Sequence, residues 1–254
     1  MSDFTFNGIS AASLGLGIER YPAIPMPRKK ITALSIPGRS GELHVDEGGL
    51  ENVIVRYEVW WKNPTPHKQP VTTGAHAREV ARWLYGAPVG ARLEDTYDDH
   101  IFRTATFLGG VNIEDIRGRY GRVVLEFSCS PQKWLTGSHD EGLTFTNKMT
   151  EIDGLLTNPT PYPTKPLIRI IGSIGGRLSI GDSGMTLRFP GMDTHEFWID
   201  CEEMECWEVV DGQEVSSNAW IDDLDFIQIM PGVNQVKFPS SFESVTIWTR
   251  AYDL

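Results

Sequence analysis

The chain lacks the features that mark secreted, membrane-spanning and disulfide-stabilised proteins. Its 254 residues include only three cysteines, Cys129, Cys201 and Cys206, too few and odd in number for a disulfide framework. No apolar run approaches the roughly 20 residues that a membrane span requires. An acid, Asp3, stands where a signal peptide carries basic residues. We therefore expect a protein that matures in the cytoplasm and does not insert into a membrane.

Patterns of catalytic and cofactor-binding residues are also missing. None of the six histidines has the spacing of a zinc-binding helix, and no Ser or Cys lies in a nucleophile-elbow turn. The glycines of Gly172–Gly176 lack both the dinucleotide-binding spacing and the lysine of a phosphate loop. Cys201 and Cys206 are farther apart than the usual metal-binding pair. The sequence thus predicts no catalytic residue, no cofactor and no metal ligand, and it indicates a non-enzymatic protein.

Two acidic groups leave an alternative open. The run 222–225 and the set Asp193, Glu196 and Asp200 offer the carboxylates that Ca²⁺ prefers. A solvated acidic loop is the favoured interpretation, because the spacing is not that of an EF-hand. The run 222–225 beside Trp220 also permits a less favoured hypothesis, the paired carboxylates of a glycosidase.

The formal charge of -11 is unevenly distributed. Residues 1–135 contain 16 Lys/Arg and 15 Asp/Glu, a net charge of +1, whereas residues 136–254 contain 7 and 19, a net charge of -12. Nucleic-acid binding draws its affinity from basic side chains that neutralise phosphates. The second half is therefore a poor candidate for binding DNA.

Alternation of apolar and polar residues predicts strands in the first half. Val53–Trp61 places Val53, Val55, Tyr57, Val59 and Trp61 on one face, as a half-buried strand does. Further short strands are predicted at Ala91–Asp95, Ile101–Phe107, Val111–Ile116 and Arg122–Cys129, which together favour an antiparallel sheet or small barrel. One helix interrupts them over Gly74–Tyr85, capped by Thr73, ended by Gly86 and lying across a sheet. Its apolar face is predicted to comprise Ala77, Val80, Ala81 and Leu84.

A proline-rich stretch separates the two halves. Asn158–Pro166 carries four prolines, which restrict the preceding residues to extended conformations. Eight short strands and no helix are predicted beyond it, typical of a β-sandwich: Leu167–Ile171, Arg177–Ile180, Met185–Phe189, Glu196–Asp200, Cys206–Val210, Phe226–Ile229, Gln235–Phe238 and Ser244–Ala251. We expect a mainly β protein with an N-terminal domain over 1–135, a linker over 136–165 and a C-terminal domain over 166–254.

Turn motifs in a fixed order resemble the distal tail proteins (Dit family) of long-tailed phages, the siphoviruses. In the first half the landmarks are Phe4–Gly8, Leu14–Leu16, Ile36–Gly41, Trp83-Leu84 and Phe127–Pro131. In the second half they are Tyr162–Ile170, Trp198–Cys201 and Ile229–Val236, which look like the galectin-like domain of the same family. Ser40 departs from the pattern, because an acid is expected after Arg39.

This resemblance implies a structural role and a set of partners. A homo-hexameric ring of N-terminal domains would sit at the distal end of the tail tube, in the virion, with galectin-like β-sandwich domains around it. The ring would contact the tail tube protein, the tail-tip hub protein and receptor-binding proteins. DNA would pass through its lumen without specific binding, as expected for a surface with little net positive charge.

Three residues are predicted to lie at the contact between subunits: Arg39, Trp60 and Trp61. Closure of a ring requires that one surface of each chain contact a different surface of the next copy, and edge strands supply such surfaces. Trp60 lies on the polar face of its strand, where a large aromatic side chain is a candidate anchor. The alternative for Trp60 is simple packing under the helix.

An alternative function is binding of host-surface carbohydrate through the C-terminal β-sandwich. Four tryptophans, Trp198, Trp207, Trp220 and Trp248, are numerous enough to supply a stacking platform. Trp198 and Trp248, however, lie in apolar strands, which predicts that they belong to the core.

Overall fold

The structure, a computed structural model, describes residues 3–62, 73–109, 114–116, 120–146, 154–189, 193–222 and 226–254. Its residues divide into two compact units, the first comprising Met1–Lys133 with Leu254 and the second Trp134–Asp253. Strands dominate both units, which confirms the predicted mainly β class. Within the described ranges, no helix has the length and apolar character needed to cross a membrane.

The first unit is a twisted antiparallel sheet covered by one helix. Its strands are β1 (Phe4–Phe6), β2 (Ile9–Ser10), β3 (Leu16–Arg20), β4 (Lys29–Ser35), β5 (Glu42–Leu50), β6 (Val53–Lys62), β7 (Ala91–Asp95), β8 (Asp98–Phe107), β9 (Glu114–Ile116) and β10 (Tyr120–Cys129). The main sheet runs in the order β2-β1-β7-β8-β10-β6-β3, with β9 paired to β10. Strands β4 and β5 pair only with each other among the described residues and form a separate hairpin.

Alternation along β6 positions the core of the first unit. Val53, Val55, Tyr57, Val59 and Trp61 are all buried, as predicted, because every second side chain of a strand points to the same face. Helix α1 (Thr73–Gly86) lies where Gly74–Tyr85 was predicted and extends it by one residue at each end. The side chain of the predicted cap, Thr73, lies outside the described residues.

Helix α1 covers this core with a face that differs from the predicted one. Val80 and Leu84 are buried as expected, but His76 and Trp83 are buried with them, whereas Ala77 and Ala81 are only half-buried. The Trp83 indole Nε1 donates a hydrogen bond to the Phe6 carbonyl at 3.0 Å, which ties the helix to β1.

Eleven of the described strands and a short helix lie entirely in the second unit, and a further strand, β11, crosses its boundary at Lys133. These are β11 (Lys133–Leu135), α2 (Thr136–Asp140), β12 (Leu143–Thr146), β13 (Gly154–Asn158), β14 (Leu167–Gly172), β15 (Gly176–Ile180), β16 (Ser183–Leu187), β17 (His195–Asp200), β18 (Glu205–Val210), β19 (Gln213–Ser216), β20 (Gly232–Lys237), β21 (Phe242–Trp248) and β22 (Tyr252–Asp253). A six-stranded sheet has the order β12-β21-β14-β17-β18-β19, and a four-stranded sheet has the order β13-β20-β15-β16. Their inner faces share one apolar core, which makes this unit a β-sandwich.

Some predicted elements differ from the structure. Residues 136–165, predicted to be a linker, contain α2, β12 and β13, and both strands pair within the sandwich sheets. The segment 226–229 forms no strand, only an isolated bridge between Thr164 and Ile229. Of the predicted strand Val111–Ile116, residues 111–113 lie outside the described residues. The division at 135 and 165 remains a prediction.

Candidate interaction surfaces

Arg39 lies at the tip of the β4–β5 hairpin. The turn is closed by a hydrogen bond from the Arg39 backbone N–H to the Ile36 carbonyl at 3.1 Å. Gly38 and Gly41 have φ values of +81° and +83°, a region that glycine adopts without steric cost. The turn predicted from sequence is therefore present, and it presents the Arg39 side chain to solvent.

The hairpin itself has one apolar face that stays exposed to solvent among the described residues. Leu34 pairs with Leu43, and Thr32 pairs with Val45, so that these side chains share a face with Ile36. Leu34, Leu43 and Val45 are 47%, 39% and 42% exposed. A two-stranded ribbon is marginally stable alone in water, and its apolar face is a surface that favours a partner. Sequence reasoning recognised the turn but missed the strands on either side of it.

Trp60 lies on the outer face of the main sheet, opposite the core. Its indole covers the edge strand β3, where a Cβ placed on Gly17 would come within 2.6 Å of the Trp60 Cζ2 atom. Glycine at position 17 therefore makes room for the ring. The alternative of packing under the helix is wrong for Trp60, because its ring lies over Gly17 on the face opposite the core and is only partly buried.

Trp61 occupies the position under the helix instead. Its side chain is 2% exposed, and its ring lies 5.1 Å from that of His76 on α1, measured between centroids. A side chain in this environment belongs to the core and presents no surface to a neighbouring subunit. Of the three side chains predicted to lie at the contact between subunits, therefore, only those of Arg39 and Trp60 are accessible from solvent.

The outer face around Trp60 mixes apolar and paired charged side chains. Ile54 on β6 is 39% exposed, and Val124 on the adjacent strand β10 is 45% exposed. Two ion pairs join strands of this face: Arg56 Nε on β6 with Glu126 Oε1 on the adjacent β10 at 2.7 Å, and Arg122 Nη2 on β10 with Glu19 Oε1 on β3, across the intervening β6, at 2.6 Å. We call this surface, comprising Trp60, Ile54, Val124 and the two ion pairs, the outer face.

Two acidic side chains of the candidate calcium set, Glu196 and Asp200, are engaged by arginines. Arg169 donates to Glu196 Oε1 at 2.9 Å, and this hydrogen bond holds the pKa of Glu196 below its usual value. Arg250 donates two hydrogen bonds of 2.8 Å to Asp200. In Asp200 partial burial raises the pKa, but the bonds from Arg250 and the backbone outweigh it and leave the pKa lowered.

Because arginines already pair with both carboxylates, Glu196 and Asp200 do not support the alternative of a Ca²⁺ site. Asp222 pairs with Arg188 at 2.5 Å, whereas residues 223–225 of the acidic run lie outside the described residues. Across the part of the chain that the structure describes, no three His, Cys, Asp or Glu side chains cluster as metal ligands. All three cysteines are buried thiols, and burial raises the pKa of each to about 12.

Three tryptophans lie together on the solvent side of the six-stranded sheet. Trp198 and Trp207 face each other across β17 and β18, with ring centroids 6.1 Å apart and planes 3° from parallel. Trp248 on β21 stacks on Trp198 at 5.4 Å and 19°. The prediction that Trp198 and Trp248 belong to the core is wrong: both are only partly buried and lie outside the buried cluster, and their neighbours Phe197 and Ile247 point inward instead. Trp220 is the one of the four that packs against the core.

The fold is similar to folds found in phage tail hubs and baseplates. No protein-family model matches the chain, and no curated protein is significantly similar to it in sequence. Among solved structures, the chain is similar to the Dit protein (gp 19.1) of phage SPP1, described as a paradigm of the hub adsorption apparatus in phages that infect Gram-positive hosts. That match has a TM-score of 0.71 at 14% identity and covers 100% of both chains.

Two structures of the phage P2 baseplate in its activated conformation are also similar. The one with Ca gives a TM-score of 0.54 at 6% identity, and the one with Sr gives 0.53 at 5% identity. Each match covers 97% of both chains. The chain thus has the fold of a phage Dit hub protein, as its turn motifs predicted.

Proposed function

We propose that this chain is a structural subunit of a phage tail, located at the distal end of the tail tube. The observation that carries the proposal is the likeness to the SPP1 Dit protein along the entire length of both chains. In this role the subunit is a connector and not an enzyme. Its partners are the tail tube, the tail-tip hub and receptor-binding proteins, and six copies form a ring around a channel for DNA.

Ring closure requires a contact between two different surfaces of the same chain. An isologous contact joins identical patches and stops at a dimer, whereas a head-to-tail contact gives a ring when the rotation between successive subunits closes. The first unit carries two distinct surfaces with exposed apolar side chains, the apolar face of the β4–β5 hairpin and the outer face around Trp60. We assign these two surfaces to the contact between neighbouring subunits.

The hairpin is suited to be the projecting half of this contact. Its apolar face remains exposed in a single chain, so docking on a neighbour removes apolar area from water without first opening the protein's own core. Arg39 at the tip adds a charged group that can pair with acidic side chains at the rim.

The outer face is suited to receive it. Trp60 supplies a large aromatic ring fixed over Gly17, and aromatic side chains of this kind dominate the energetics of protein interfaces. Ile54 and Val124 extend the apolar area next to it. In each of the two ion pairs the charges neutralise each other, so covering a pair leaves neither of its own charges unpaired.

The oligomeric state of the unmodified chain tests the ring, and the oligomeric state of variants on the two surfaces tests the assigned contact. Sedimentation velocity and light scattering on the full-length protein at micromolar concentration should give six times the chain mass of 28.4 kDa, and negative-stain images should show a central hole. Leu43→Asp on the hairpin and Trp60→Glu on the outer face should each weaken assembly by roughly 30-fold or more, the effect of losing an interface hot spot.

Val233→Asp is the matched control, because this side chain is 67% exposed on β20 of the second unit. It should leave the oligomer intact. A monomer across the micromolar range would contradict the ring. An intact hexamer in both Leu43→Asp and Trp60→Glu would contradict the assigned surfaces and leave the ring standing.

A further inference from the structure

A cleft of about 560 Å³ lies among the turns of the second unit, a volume typical of ligand-binding pockets. Its inner wall includes Cys201, which is buried in the core, and Phe226, which packs against the core. Met204, in the turn between β17 and β18, and Met230, just before β20, line its mouth and are 59% and 47% exposed. We call it the methionine cleft. Because thioether side chains are flexible and polarizable, this lining can adapt to an apolar side chain inserted by a partner.

Met204 has a backbone conformation that side chains of its type rarely adopt. Its φ of +56° lies in the left-handed region, which steric contact of the Cβ atom disfavours for most residues other than Gly, Asn and Asp. Burial within the single chain does not compensate for this strain, because Met204 stays more than half exposed. A strained residue that holds an apolar side chain in solvent at the mouth of a cleft indicates a binding site.

Carboxylates surround the mouth of the methionine cleft. Asp182, in the turn between β15 and β16, lines the cleft, and Glu203 and Glu205 flank Met204 in the chain. Lys165, the one basic residue among the described lining residues, already pairs with Glu202 at 3.6 Å. The acids do not converge as metal ligands within the described ranges. The mouth therefore favours an occupant that carries cationic side chains, and it repels phosphates and other anions.

The first unit carries an exposed segment with the matching chemistry. Residues 21–30 lead from β3 into β4 and read Tyr-Pro-Ala-Ile-Pro-Met-Pro-Arg-Lys-Lys. Ile24 and Met26 are 68% and 74% exposed. Arg28 and Lys30 follow them and are exposed as well. This segment, which we call the strap, thus presents apolar side chains directly before cationic ones.

The strap is held at both ends and is stiff between them. The Tyr21 ring contacts that of Tyr97 edge-on, with centroids 5.4 Å apart, and the Arg28 carbonyl accepts a hydrogen bond from the Glu51 backbone N–H at 2.7 Å. Three prolines restrict the residues before them to extended conformations: Pro22, Pro25 and Pro27. A segment fixed in this way loses little conformational entropy when it docks.

The strap and the methionine cleft are both exposed in the single chain, so a chain's own strap does not fill its own cleft. We propose that the methionine cleft of one copy binds the strap of a second copy. Ile24 and Met26 supply the apolar anchors between Met204 and Met230, and the cationic end of the strap lies beside the carboxylates. This inference rests on the proposed function only in that copies of the chain assemble.

A labelled peptide with the sequence of residues 20–31, titrated with the full-length protein and followed by fluorescence anisotropy, tests this site. The recipient protein carries Ile24→Ser and Met26→Ser, so that no intact strap competes for its clefts. We expect saturable binding in the micromolar range, weakened by added salt because charges contribute to it. A peptide with the same two serines, and another with Arg28→Gln and Lys30→Gln, should each bind about tenfold more weakly or worse.

Variants of the recipient locate the bound peptide. Met204→Asn removes the apolar side chain but keeps a residue that accepts the left-handed backbone, and it should weaken binding about tenfold. Asp182→Asn should weaken binding and reduce its dependence on salt. Leu155→Asn is the matched control, because Leu155 is 70% exposed on β13 and does not line the cleft; it should leave binding unchanged. Thermal unfolding of each variant separates loss of binding from loss of structure.

A disulfide between copies tests the contact in the assembled protein. Met26→Cys and Gln228→Cys, made in separate chains and mixed under oxidising conditions, should give a linked dimer, because Gln228 lines the cleft. The three native thiols are buried and do not compete. Val89→Cys, at a position of the first unit that is 86% exposed, takes the place of Met26→Cys in the control and should not link to Gln228→Cys.

Absence of saturable peptide binding at millimolar concentration would overturn the proposal, as would equal binding by the recipients with and without Met204→Asn. Equal linking of Met26→Cys and Val89→Cys to Gln228→Cys would overturn the contact between copies. A monomeric chain that binds the peptide through the cleft would contradict the ring and support this site. A hexamer whose recipient variant does not bind the peptide would overturn this site and leave the ring standing.

Discussion

Arg250 and Asp200 form a nearly enclosed ion pair in the second unit. Their side chains are 18% and 12% exposed, and two parallel hydrogen bonds of 2.8 Å join the guanidinium to both carboxylate oxygens. The backbone N–H groups of Glu202 and Glu203 donate to Asp200 Oδ1 as well. The carboxylate therefore fixes the turn between β17 and β18, and removing its partner leaves a charge in a largely dry environment.

We expect Arg250→Gln to lower the free energy of unfolding of the second unit by about 2 kcal/mol at pH 7. Since the fold holds the pKa of Asp200 below its ordinary value of 3.8, this stabilisation is present above that value and is lost as the pH falls through the folded pKa. Urea unfolding of the variant and the unmodified chain between pH 7 and pH 3 measures the difference. The gap between them should shrink as the solution becomes acidic.

Lys165→Gln is the matched control, because Lys165 pairs with Glu202 at 3.6 Å with both side chains more than 40% exposed. An exposed pair of this kind contributes little, so the variant should unfold within about 0.5 kcal/mol of the unmodified chain. A difference between Arg250→Gln and the unmodified chain that stayed constant down to pH 3 would contradict the electrostatic explanation.

Helix α1 is attached to the main sheet through Trp83. The ring lies 5.9 Å from that of Phe4 and 6.2 Å from that of Phe6, and its N–H donates to the Phe6 carbonyl. Trp83→Phe should therefore lower stability by about 1 to 2 kcal/mol, through the lost hydrogen bond and the smaller ring. Urea unfolding followed by circular dichroism measures this.

Tyr85→Phe on the same helix removes a polar atom from a side chain that is 65% exposed. Its stability should stay within about 0.5 kcal/mol of the unmodified chain. If the two variants lost the same amount, the hydrogen bond to Phe6 would not be what holds the helix.

The inward-pointing face of a strand was predictable where only one face is apolar, and it was not predictable where both faces are apolar. In β6 the side chains alternate between apolar and charged, so that the periodicity reveals which face is inside. In β17 the consecutive residues Phe197, Trp198 and Ile199 are all apolar, and the pattern carries no sign of which side faces solvent. The misassignment of Trp198 follows from this, because only the neighbouring strands determine the face.

The β4–β5 hairpin was missed for a related reason. Its strands have no buried face in the single chain, and Gly48 and Gly49 interrupt β5, so neither periodicity nor β-propensity indicated a strand there. The turn at its tip was predictable, because Gly38 and Gly41 supply backbone conformations that other residues avoid. Local turn chemistry was thus visible in the sequence, whereas strands that bury neither face in the single chain were not.

At the scale of the whole molecule, the proline-rich stretch was interpreted as a linker because its composition is that of an extended, stiff segment. In the structure this stiff segment is hydrogen-bonded to other residues of the second unit. The Asn158 side chain donates to the carbonyls of Tyr162 and Ile229 at 2.8 and 3.2 Å, and Thr164 exchanges backbone hydrogen bonds with Ile229. Leu156 on β13 is fully buried in the sandwich core. Prolines here shape a packed edge of the second unit.

Two fragments therefore test whether the second unit begins at residue 166, as the sequence predicts, or at residue 134, as the structure indicates. Residues 134–254 contain β12 and β13, which cover the edges of β21 and β20, whereas residues 166–254 lack both strands along with Leu156 and Asn158. We expect the longer fragment to unfold cooperatively in urea. The shorter one should lose at least about 3 kcal/mol, because a buried leucine, a buried hydrogen-bonding group and two paired strands are missing, and it should aggregate through its uncovered edges.

Circular dichroism in urea and light scattering on both fragments measure these outcomes. A third fragment, residues 150–254, retains β13 but not β12, and its stability should fall between the other two. Equal stability of the 134–254 and 166–254 fragments would mean that the second unit begins after the prolines, and that residues 136–165 act as the linker that their composition predicted.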